Sequence, residues 1–372
     1  MSAPRIPFNQ LRPADGPGDE RAAIDAAIAR VVGSGWYVLG PEVDAFEREF
    51  ASACGASHAV AVANGTDAIA LLLRAAGVGP GDEVLVPAIT AAFTALAVTS
   101  IGAVPVVVDV EDASLTMDPA AAAAAVTSRT RAILPVHLYG QAADVHALHA
   151  LAIRHQLAFV EDCCQAHLCT AGGVPVGLRG VGGAFSFYPT KNLGAMGDGG
   201  AIITDDAEVA TRLRRLRNGG QRDRYHHVET GINSRLDELQ AAILRVRLPR
   251  LADATRRRRA LAARYRRQLP PGVRPVTERH PGHVYHLFPV RVAERDALQA
   301  HLRADGIETL IHYPIPLHEQ PAFAPFNPAP CPRASAAARQ LLSLPLHPHL
   351  RDDEVDAVAA SVDRFMKGRV FA

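Results

Sequence analysis

Lys191 lies in a stretch whose composition could support covalent chemistry. The run AFSFYPTKNLGAMGDGG, residues 184–200, places aromatic residues before the lysine and a cluster of glycines after it. A lysine that forms a Schiff base needs a fixed position, a desolvating wall and small neighbours that admit a flat cofactor. Ser186 and Thr190 could donate hydroxyl hydrogen bonds to a phosphate. A solvated lysine in a Gly-rich turn is the alternative, and this stretch alone leaves both interpretations open.

The segment Asn64-Gly65-Thr66 follows a short β-rich run and precedes a helical pattern. The N–H groups at the start of a helix, together with the Thr66 hydroxyl, form a ready anion site. The same residues also make an ordinary helix N-cap, so the segment is weak evidence by itself. Combined with Ser186, it predicts a two-sided phosphate cup.

Asp162 ends an apolar strand pattern and precedes Lys191 by 29 residues. A buried carboxylate needs a cation, and a pyridinium nitrogen would supply one while the ring withdraws electrons. An aspartate held by a helix N-terminus or by an arginine is the alternative.

Other chemistries lack their sequence signatures. Cys163, Cys164, His167 and Cys169 do not form paired C-x-x-C knuckles, and no second ligand pair follows, so we predict buried structural thiols and no metal site. No G-x-S-x-G nucleophile elbow occurs. The first strand–helix turn, residues 63–68, is not the G-x-G-x-x-G of dinucleotide binding.

The elements that would position these residues alternate between strands and helices. Apolar strand patterns occur at residues 58–63, 84–86, 104–108, 132–136 and 158–160, with helical patterns between them. Continuous apolar strands separated by helices predict a mainly parallel sheet covered on both faces. Because chemistry in such sheets gathers at the carboxyl ends of strands, we expect residues 64–66, Asp109, residues 137–140 and Asp162 at one edge.

The rest of the chain predicts an arm and a second unit. Residues 1–20 are polar and rich in proline and glycine, which is typical of an arm. Helices are predicted over 207–217 and, as one long Arg-rich helix, over 235–268. Residues 284–369 predict a smaller α+β unit with strands at 286–292 and 307–311 and a terminal helix from about residue 352. We therefore predict a large domain over 1–250 and a small one over 251–372.

Composition excludes several partners. The 372 residues are 48% hydrophobic and 21% charged, with a net charge of +1, which gives no long-range attraction to nucleic acid or acidic membranes. The five cysteines form no disulfide framework, and no apolar run reaches the length of a signal peptide or a membrane span. The expected location is the cytoplasm.

Taken together, these motifs resemble the DegT/StrS family of pyridoxal-phosphate-dependent sugar aminotransferases, of aminotransferase fold type I. The resemblance runs from about Phe8 to the last helix. Besides the lysine segment, it rests on GPEVDAFE (40–47), ANGTDA (63–68), PVHLYG (135–140), EDCCQAH (161–167), GINSRLDELQA (231–241), IHYP (311–314) and LPLHP (344–348).

The resemblance implies an α/β fold, with a mostly parallel seven-stranded sheet in a large domain and a smaller C-terminal α+β domain. It also implies a role for individual residues. Lys191 would hold pyridoxal 5'-phosphate and act as the catalytic acid/base, and Asp162 and Gln165 would contact the ring. The phosphate would be bound by Gly65, Thr66 and Ser186 of one subunit and by Asn233 of the other subunit of a homodimer. The substrate-side groups would be His167, Tyr188, Tyr225, His312 and Tyr313.

The implied reaction moves an amino group from L-glutamate to a nucleotide-linked keto sugar. A lysine at position 191 favours a transaminase, because family members that dehydrate sugars carry histidine there. The motifs look closest to members that act on dTDP-3-keto-6-deoxyhexoses and make 3-amino sugars. The alternatives are a 4-keto sugar or inosose as acceptor, or a non-catalytic regulatory protein that binds the cofactor.

One position departs from the family pattern. The family usually carries an aromatic residue after P-A-x-T, which stacks on the cofactor ring, but the run here is PAITAAFT, residues 87–94. The aromatic position is therefore Ala91, and Phe93, two residues further on, is the candidate to replace it as a cofactor contact.

Overall fold

Short apolar runs and the helices between them assemble into a layered α/β structure. A computed structural model of the chain describes residues 6–13 and 20–370. The strands in chain order are β1 His58–Val62, β2 Glu83–Pro87, β3 Val104–Val108, β4 Thr130–Ile133, β5 Ala158–Asp162, β6 Thr170–Ala171, β7 Val174–Pro175, β8 Gly182–Ser186, β9 Gly200–Thr204, β10 Gln221–Asp223, β11 His226–His227, β12 Arg274–Pro275, β13 Phe288–Arg291 and β14 Leu341–Leu344.

The α-helices lie between and after these strands. They are α1 Glu20–Ser34, α2 Pro41–Cys54, α3 Gly65–Ala75, α4 Ala92–Ser100, α5 Pro119–Ala124, α6 Val145–His155, α7 Ala207–Leu216, α8 Glu238–Arg247, α9 Leu251–Gln268, α10 Arg295–Ala304, α11 Pro332–Gln340 and α12 Asp352–Val370. Short 3-10 turns occur at Leu138–Gly140, Leu248–Arg250, Leu317–Glu319 and Pro321–Phe326.

The central sheet has seven strands in the order β1-β9-β8-β5-β4-β2-β3. Strand β9 runs antiparallel to both of its neighbours, and the remaining pairs are parallel. The predicted mainly parallel sheet is therefore confirmed. Strand β5 pairs with β8, and Asp162 lies opposite Ala184 in the register. This pairing brings the end of β5 next to the segment that leads to Lys191.

Apolar side chains cover the sheet on both faces. One cluster includes Val60, Leu72 and Val86, and a second includes Phe46, Phe50 and Phe187. Most strand positions are apolar because both faces of the sheet are covered.

The predicted single helix over 235–268 is wrong. Helix α8 ends at Arg247, a 3-10 turn covers Leu248–Arg250, and α9 begins at Leu251. The cause is Pro249, which has no backbone N–H to donate and whose ring clashes with the preceding turn of a helix. The periodicity of apolar residues continues across this break, so periodicity alone does not show it.

The C-terminal part has its own three-stranded antiparallel sheet, in the order β12-β13-β14. Its core packs Tyr265 of α9, Phe288 of β13 and Val358 of α12. The predicted strand over 307–311 forms only isolated bridges, at Ile307 and Leu310. Strand β14, which was not predicted, lies next to β13 instead. The boundary near residue 250 stays a prediction.

Part of the predicted N-terminal arm is described. The backbone of Ile6 bonds to Gly306 and Glu308, and the Phe8 N–H donates to the carboxylate of Glu308. Residues 1–5 and 14–19 of the predicted arm lie outside the described residues. Across the described ranges, no helix is long and apolar enough to cross a membrane, and no group of three or more His, Cys, Asp or Glu side chains could hold a metal ion.

Several buried histidines predict that stability falls in mild acid. Desolvation lowers the pKa of His283 to about 3, and its Nδ1 accepts a hydrogen bond from the Tyr285 N–H. An unfolded histidine titrates near pH 6.5, so below that pH the unfolded chain binds protons that the native state does not. The free energy of unfolding should therefore decrease as the pH is lowered from roughly 6 to 4, by about 1.4 kcal/mol per pH unit for each such histidine.

Urea denaturation at pH 7, 6 and 5 measures this slope. His283→Asn keeps an acceptor for the Tyr285 N–H. In this variant we expect the dependence of the unfolding free energy on pH to weaken by about 1.4 kcal/mol per pH unit, the contribution of one histidine. The exposed His155 at the end of α6 provides the matched control, His155→Asn, which should leave the slope unchanged. An equal slope in all three proteins would contradict the prediction.

Candidate active site

Asp162 lies at the carboxyl end of β5 and is almost completely buried. Its Oδ2 accepts a hydrogen bond of 2.8 Å from the Thr94 hydroxyl, and its Oδ1 accepts one of 3.0 Å from the Cys164 N–H. Thr94 in turn bonds to Thr90, 2.8 Å away. A buried carboxylate held by two neutral donors has a fixed orientation and keeps its negative charge uncompensated by any hydrogen-bonded cation.

Gln165 links three parts of the chain. Its Oε1 accepts from the Tyr139 N–H at 2.7 Å, and its Nε2 donates to the Tyr313 hydroxyl at 2.9 Å. The Tyr139 hydroxyl donates to the carbonyl of His312. These bonds connect the end of β5 to the 3-10 turn Leu138–Gly140 and to the C-terminal part of the chain, which fixes the wall of the site.

Lys191 is half-buried in the loop that follows β8. The loop is held by a 2.8 Å bond from the Lys191 N–H to the Tyr188 carbonyl. Desolvation lowers the pKa of the Lys191 ammonium, and the nearby Cys164 sulfur and Asp162 carboxylate oppose that shift. In the described part of the chain no carboxylate lies within ion-pair distance of this ammonium. A lysine in such surroundings is easier to deprotonate than a surface lysine.

The start of α3 meets the end of β8 at close range. A Cβ at Gly65 would stand 2.7 Å from Ser186 Cβ and 2.9 Å from Cys164 Sγ, so only glycine fits there. The Asn64 side chain caps the helix by accepting from the Asp67 N–H. No described residue accepts a hydrogen bond from the N–H groups of Gly65 and Thr66. These free donors at a helix N-terminus form an anion site of the predicted kind.

Gly65→Ala is expected to damage this cup. The added methyl group would force Ser186 or Cys164 to move, at a cost of about 1–3 kcal/mol. The affinity for a phosphate-bearing cofactor should fall about tenfold or more, measured by absorbance titration of the apoprotein. The control is Gly79→Ala, where a Cβ meets nothing within 4 Å. Equal affinities in the two variants would show that the cup does not hold the phosphate.

Two of the predicted substrate-side histidines lie near Lys191. His167 is fully buried against Phe185 and Phe187, and its Nε2–H donates to the Ser186 carbonyl at 2.9 Å. Its Nδ1 has no hydrogen-bond partner among the described residues. Desolvation, followed by the charge of Lys191, lowers the pKa of His167 to about 3 and that of His312 to about 4. Both imidazoles are neutral at pH 7.

Other predicted residues lie on the outside of the chain. Tyr188 is half exposed, Tyr225 is 80% exposed in the β10–β11 hairpin, and Asn233 is exposed on the segment that follows. Phe93 is 63% exposed on the first turn of α4. The roles predicted for these four residues stay predictions.

Sequence reasoning assigned no role to four residues that the structure places around the site. They are Thr94 and Cys164, which contact Asp162, Tyr139, which bonds to Gln165, and His286, whose Nδ1 lies 3.3 Å from Asn192 Oδ1. Thr94, Cys164 and Tyr139 lie inside motifs that the sequence analysis had identified, and their place in those motifs was the only indication that they belong to the site. His286 had none, since it adjoins the lysine loop only in the folded chain.

The donors and the space at this site suit a flat cofactor that carries a phosphate. The free N–H groups beside Gly65 match a phosphate, the Asp162 carboxylate matches a ring cation, and the lysine has no ionic partner of its own. A seven-stranded, mostly parallel sheet with such a lysine after one strand and an aspartate at the end of the next defines the class: a pyridoxal-phosphate-dependent aminotransferase of fold type I.

Comparisons with known proteins identify the group within that class. The model of the DegT/DnrJ/EryC1/StrS aminotransferase family matches residues 19–363. The dTDP-3-amino-3,4,6-trideoxy-alpha-D-glucose transaminase of Streptomyces venezuelae is 51% identical over 370 residues, 97% of each chain. The dTDP-3-amino-3,6-dideoxy-alpha-D-galactopyranose transaminase of Aneurinibacillus thermoaerophilus is 46% identical, over 97% of this chain and 99% of that protein.

A solved structure agrees. The crystal structure of S. venezuelae DesV in complex with a ketimine intermediate matches with a TM-score of 0.92 at 48% identity, covering 98% of this chain and 99% of that one. The chain belongs to the DegT/DnrJ/EryC1/StrS aminotransferase family and is a transaminase. The resemblance drawn from the motifs is therefore confirmed. Aminotransferases of this family use pyridoxal phosphate.

Proposed function

We propose that this enzyme transfers the amino group of L-glutamate to the 3-keto group of a dTDP-linked 6-deoxyhexose, with pyridoxal phosphate as its cofactor. The observation that carries the proposal is the desolvated Lys191, without an ionic partner, between the Asp162 carboxylate and the free N–H groups at the start of α3. The sugar class is supported by two relatives whose names both specify a dTDP-3-amino sugar.

Named residues would hold the cofactor. Gly65, Thr66 and Ser186 would bind its phosphate, Asp162 would pair with the ring nitrogen, and Gln165 would contact the ring hydroxyl. When bound, pyridoxal phosphate supplies an electron sink for the carbon that loses or gains the amino group. The Asp162 carboxylate, buried and held by two hydrogen bonds, would favour the protonated form of the ring nitrogen.

Lys191 is the acid/base of the reaction. Because desolvation lowers its pKa, Nζ could move a proton from the carbon that bears the donor amine to the cofactor in the first half-reaction, and from the cofactor to the carbon of the sugar in the second. His167 and His312 are neutral at pH 7, so neither carries a charge that would stabilise the ammonium form of Lys191. The release of a proton from Nζ is favoured as a result. His312 and Tyr313 extend the wall toward the sugar, together with Tyr188.

Absorbance spectroscopy of the purified enzyme tests the proposal. A yellow band that bleaches on addition of glutamate would establish the cofactor and the donor. The aminated enzyme is then offered a dTDP-3-keto-6-deoxyhexose, a dTDP-4-keto sugar and an inosose, and products are identified by mass spectrometry. Amination of the 3-keto sugar alone, or with the highest kcat/KM, is the expected result. A protein that stays colourless with added pyridoxal phosphate, or that aminates only another ketone, would refute the proposal.

Each active site is proposed to be shared between the two subunits of a homodimer. Tyr225 and Asn233 lie on the exposed surface of the chain, as do the large apolar side chains of Trp36 and Phe93. Large apolar side chains on the surface are candidates for contacts with another protein chain. The family resemblance assigns Asn233 to the phosphate of the partner's cofactor, and its exposure leaves its amide available for that contact.

Mixing two inactive variants tests this sharing. Lys191→Ala and Asn233→Ala should each be nearly inactive alone. After reassembly in equal amounts, half of the dimers are mixed, and each mixed dimer has one intact site, so about a quarter of wild-type activity should return. The control is each variant reassembled with itself. If the activity of the mixture equals the mean of the activities of the two variants, Asn233 acts in the site of its own subunit or takes no part in the reaction.

A further inference from the structure

A small cavity opens beside Lys191, between the lysine loop, residues 9–12, the start of α9 and the loop that follows β14. Its volume is about 210 Å³. Its charged lining is mostly cationic and comprises Arg12, Glu20, Lys191, Arg247, Arg250 and Arg258. The positive charge of Arg247 is neutralised by Glu20, 2.8 Å away, and its side chain also donates to the Gly194 carbonyl.

Arg258 is the buried cation of this cavity. Its side chain comes from α9 and is 5% exposed. Nη1 donates to three backbone carbonyls, those of Tyr285, His286 and Leu346. Nε has no partner, and no carboxylate of a described residue lies within ion-pair distance. Carbonyl oxygens orient a guanidinium but do not neutralise it, so this charge is buried without a counter-ion.

His347 lies beside Arg258 in the same lining. It is 5% exposed, and neither ring nitrogen has a hydrogen-bond partner among the described residues. The carbonyl of Pro7 lies close enough to oppose the lowering of its pKa without reaching hydrogen-bond geometry. Desolvation, then the charge of Arg258, lowers that pKa to about 4, so the ring is neutral at pH 7. A neutral imidazole carries one N–H, and the Pro7 carbonyl beside the ring does not fully satisfy that donor.

The cavity places these groups close to the reacting lysine. His286 stands between Arg258 and Lys191: its carbonyl accepts from Arg258, and its Nδ1 faces Asn192, the neighbour of the lysine. The positive charges of Lys191 and Arg258 both act on the His286 ring. Because Arg258 and Lys191 line the same cavity, an anion bound at Arg258 lies beside the lysine loop.

We propose that Arg258 and His347 bind a carboxylate of the amino-acid donor in this cavity. The inference rests on the proposed function, since it assigns a carboxylate-bearing amine to the site of Lys191. The Arg258 guanidinium supplies the charge and its free N–H, and His347 supplies a neutral N–H. Two donors with unmet hydrogen bonds and a cation without a counter-ion match a carboxylate, which is planar and accepts two bonds.

The size of the cavity distinguishes this anion from the diphosphate of the sugar nucleotide. Pockets for drug-sized ligands measure about 300–1,000 Å³, and this cavity is smaller. A five-carbon amino acid is a small ligand, whereas a nucleotide sugar is at least as large as the ligands of those pockets. We therefore assign the cavity to the donor and not to the acceptor.

Binding of glutarate tests the assignment, because this dicarboxylate lacks an amine and cannot react. Its Kd for the holoenzyme is measured by isothermal titration calorimetry. His347→Leu and Arg258→Lys should each raise that Kd by about 10- to 100-fold, since each loses a hydrogen bond to a charged group. His347→Gln, which retains an N–H donor, should recover part of the affinity. The matched control is Arg256→Lys, an exposed arginine on the same helix.

The Kd of dTDP, measured on the same proteins, identifies which anion the cavity holds. We expect it to change less than about twofold. Unchanged glutarate binding in both variants, or a loss of dTDP affinity as large as that of glutarate, would overturn the proposal. If Arg258→Lys fails to fold, as judged by circular dichroism, the difference in glutarate Kd between His347→Leu and His347→Gln tests the proposal.

The two proposals can fail separately. An enzyme that binds glutarate through Arg258 and His347 but aminates no dTDP-linked ketone would refute the proposed function and leave this inference standing. An enzyme that aminates the 3-keto sugar while its His347→Leu variant binds glutarate like the wild type would refute the inference alone.

Discussion

Lys191→Ala is expected to lower kcat for amino transfer by at least about 10³-fold, within the range for loss of a general acid/base. The alanine removes both the covalent attachment of the cofactor and the only described amine at the site. Its neighbours cannot replace it, because the low pKa values of His167 and His312 make them weak bases. The measurement is a single-turnover rate with glutamate, followed at the absorbance band of the cofactor, because it isolates the donor half of the reaction.

The chain offers a clean control for this loss. Lys191 and Lys367 are the only lysines in the sequence. Lys367 is exposed on α12 and pairs with Asp363 at 2.7 Å. Lys367→Ala should retain full activity, and borohydride reduction of the wild type should attach the cofactor to the peptide that contains Lys191. Labelling at Lys367, or an active Lys191→Ala variant, would contradict the assignment.

Much of the fold could be predicted because apolar patterning and topology act together. Strands buried on both faces are mostly apolar, so β3 stands out as an uninterrupted run and β5 as the apolar run 158–160 ahead of Glu161 and Asp162. Parallel strands end at one edge of the sheet, which is why Asp162 and the lysine segment could be expected to lie close together. The pairing of β5 with β8 provides that proximity.

Other features depend on contacts that local patterns do not contain. Strand β14 forms where an antiparallel partner, β13, is available, and the run at 307–311 has no full partner and remains a pair of bridges. The contact of Thr94 with Asp162 joins residues 68 positions apart. Such pairs are set by the packing of whole elements, and no local periodicity reports them.

Asp162→Asn is expected to lower kcat by about 10²- to 10³-fold, the range for removal of one preorganised electrostatic partner. Asparagine keeps the shape of the side chain and an oxygen that can accept from the Cys164 N–H. It removes the negative charge that would hold the ring nitrogen protonated, so the cofactor withdraws electrons less strongly. Its affinity should also fall, which equilibrium dialysis of the cofactor would measure apart from turnover.

Thr94→Val separates the charge of Asp162 from its orientation. The valine removes the 2.8 Å hydrogen bond to Oδ2 but leaves the carboxylate charged and still held by the Cys164 N–H. A hydrogen bond to a charged group contributes about 1.5–3 kcal/mol, and the bond from the Cys164 N–H remains, so the loss in kcat should stay at about tenfold. If Thr94→Val lost as much activity as Asp162→Asn, then alignment of the carboxylate, and not its charge, would govern the reaction. A small loss in Thr94→Val beside a large one in Asp162→Asn would assign the effect to the charge that Asp162 presents to the ring.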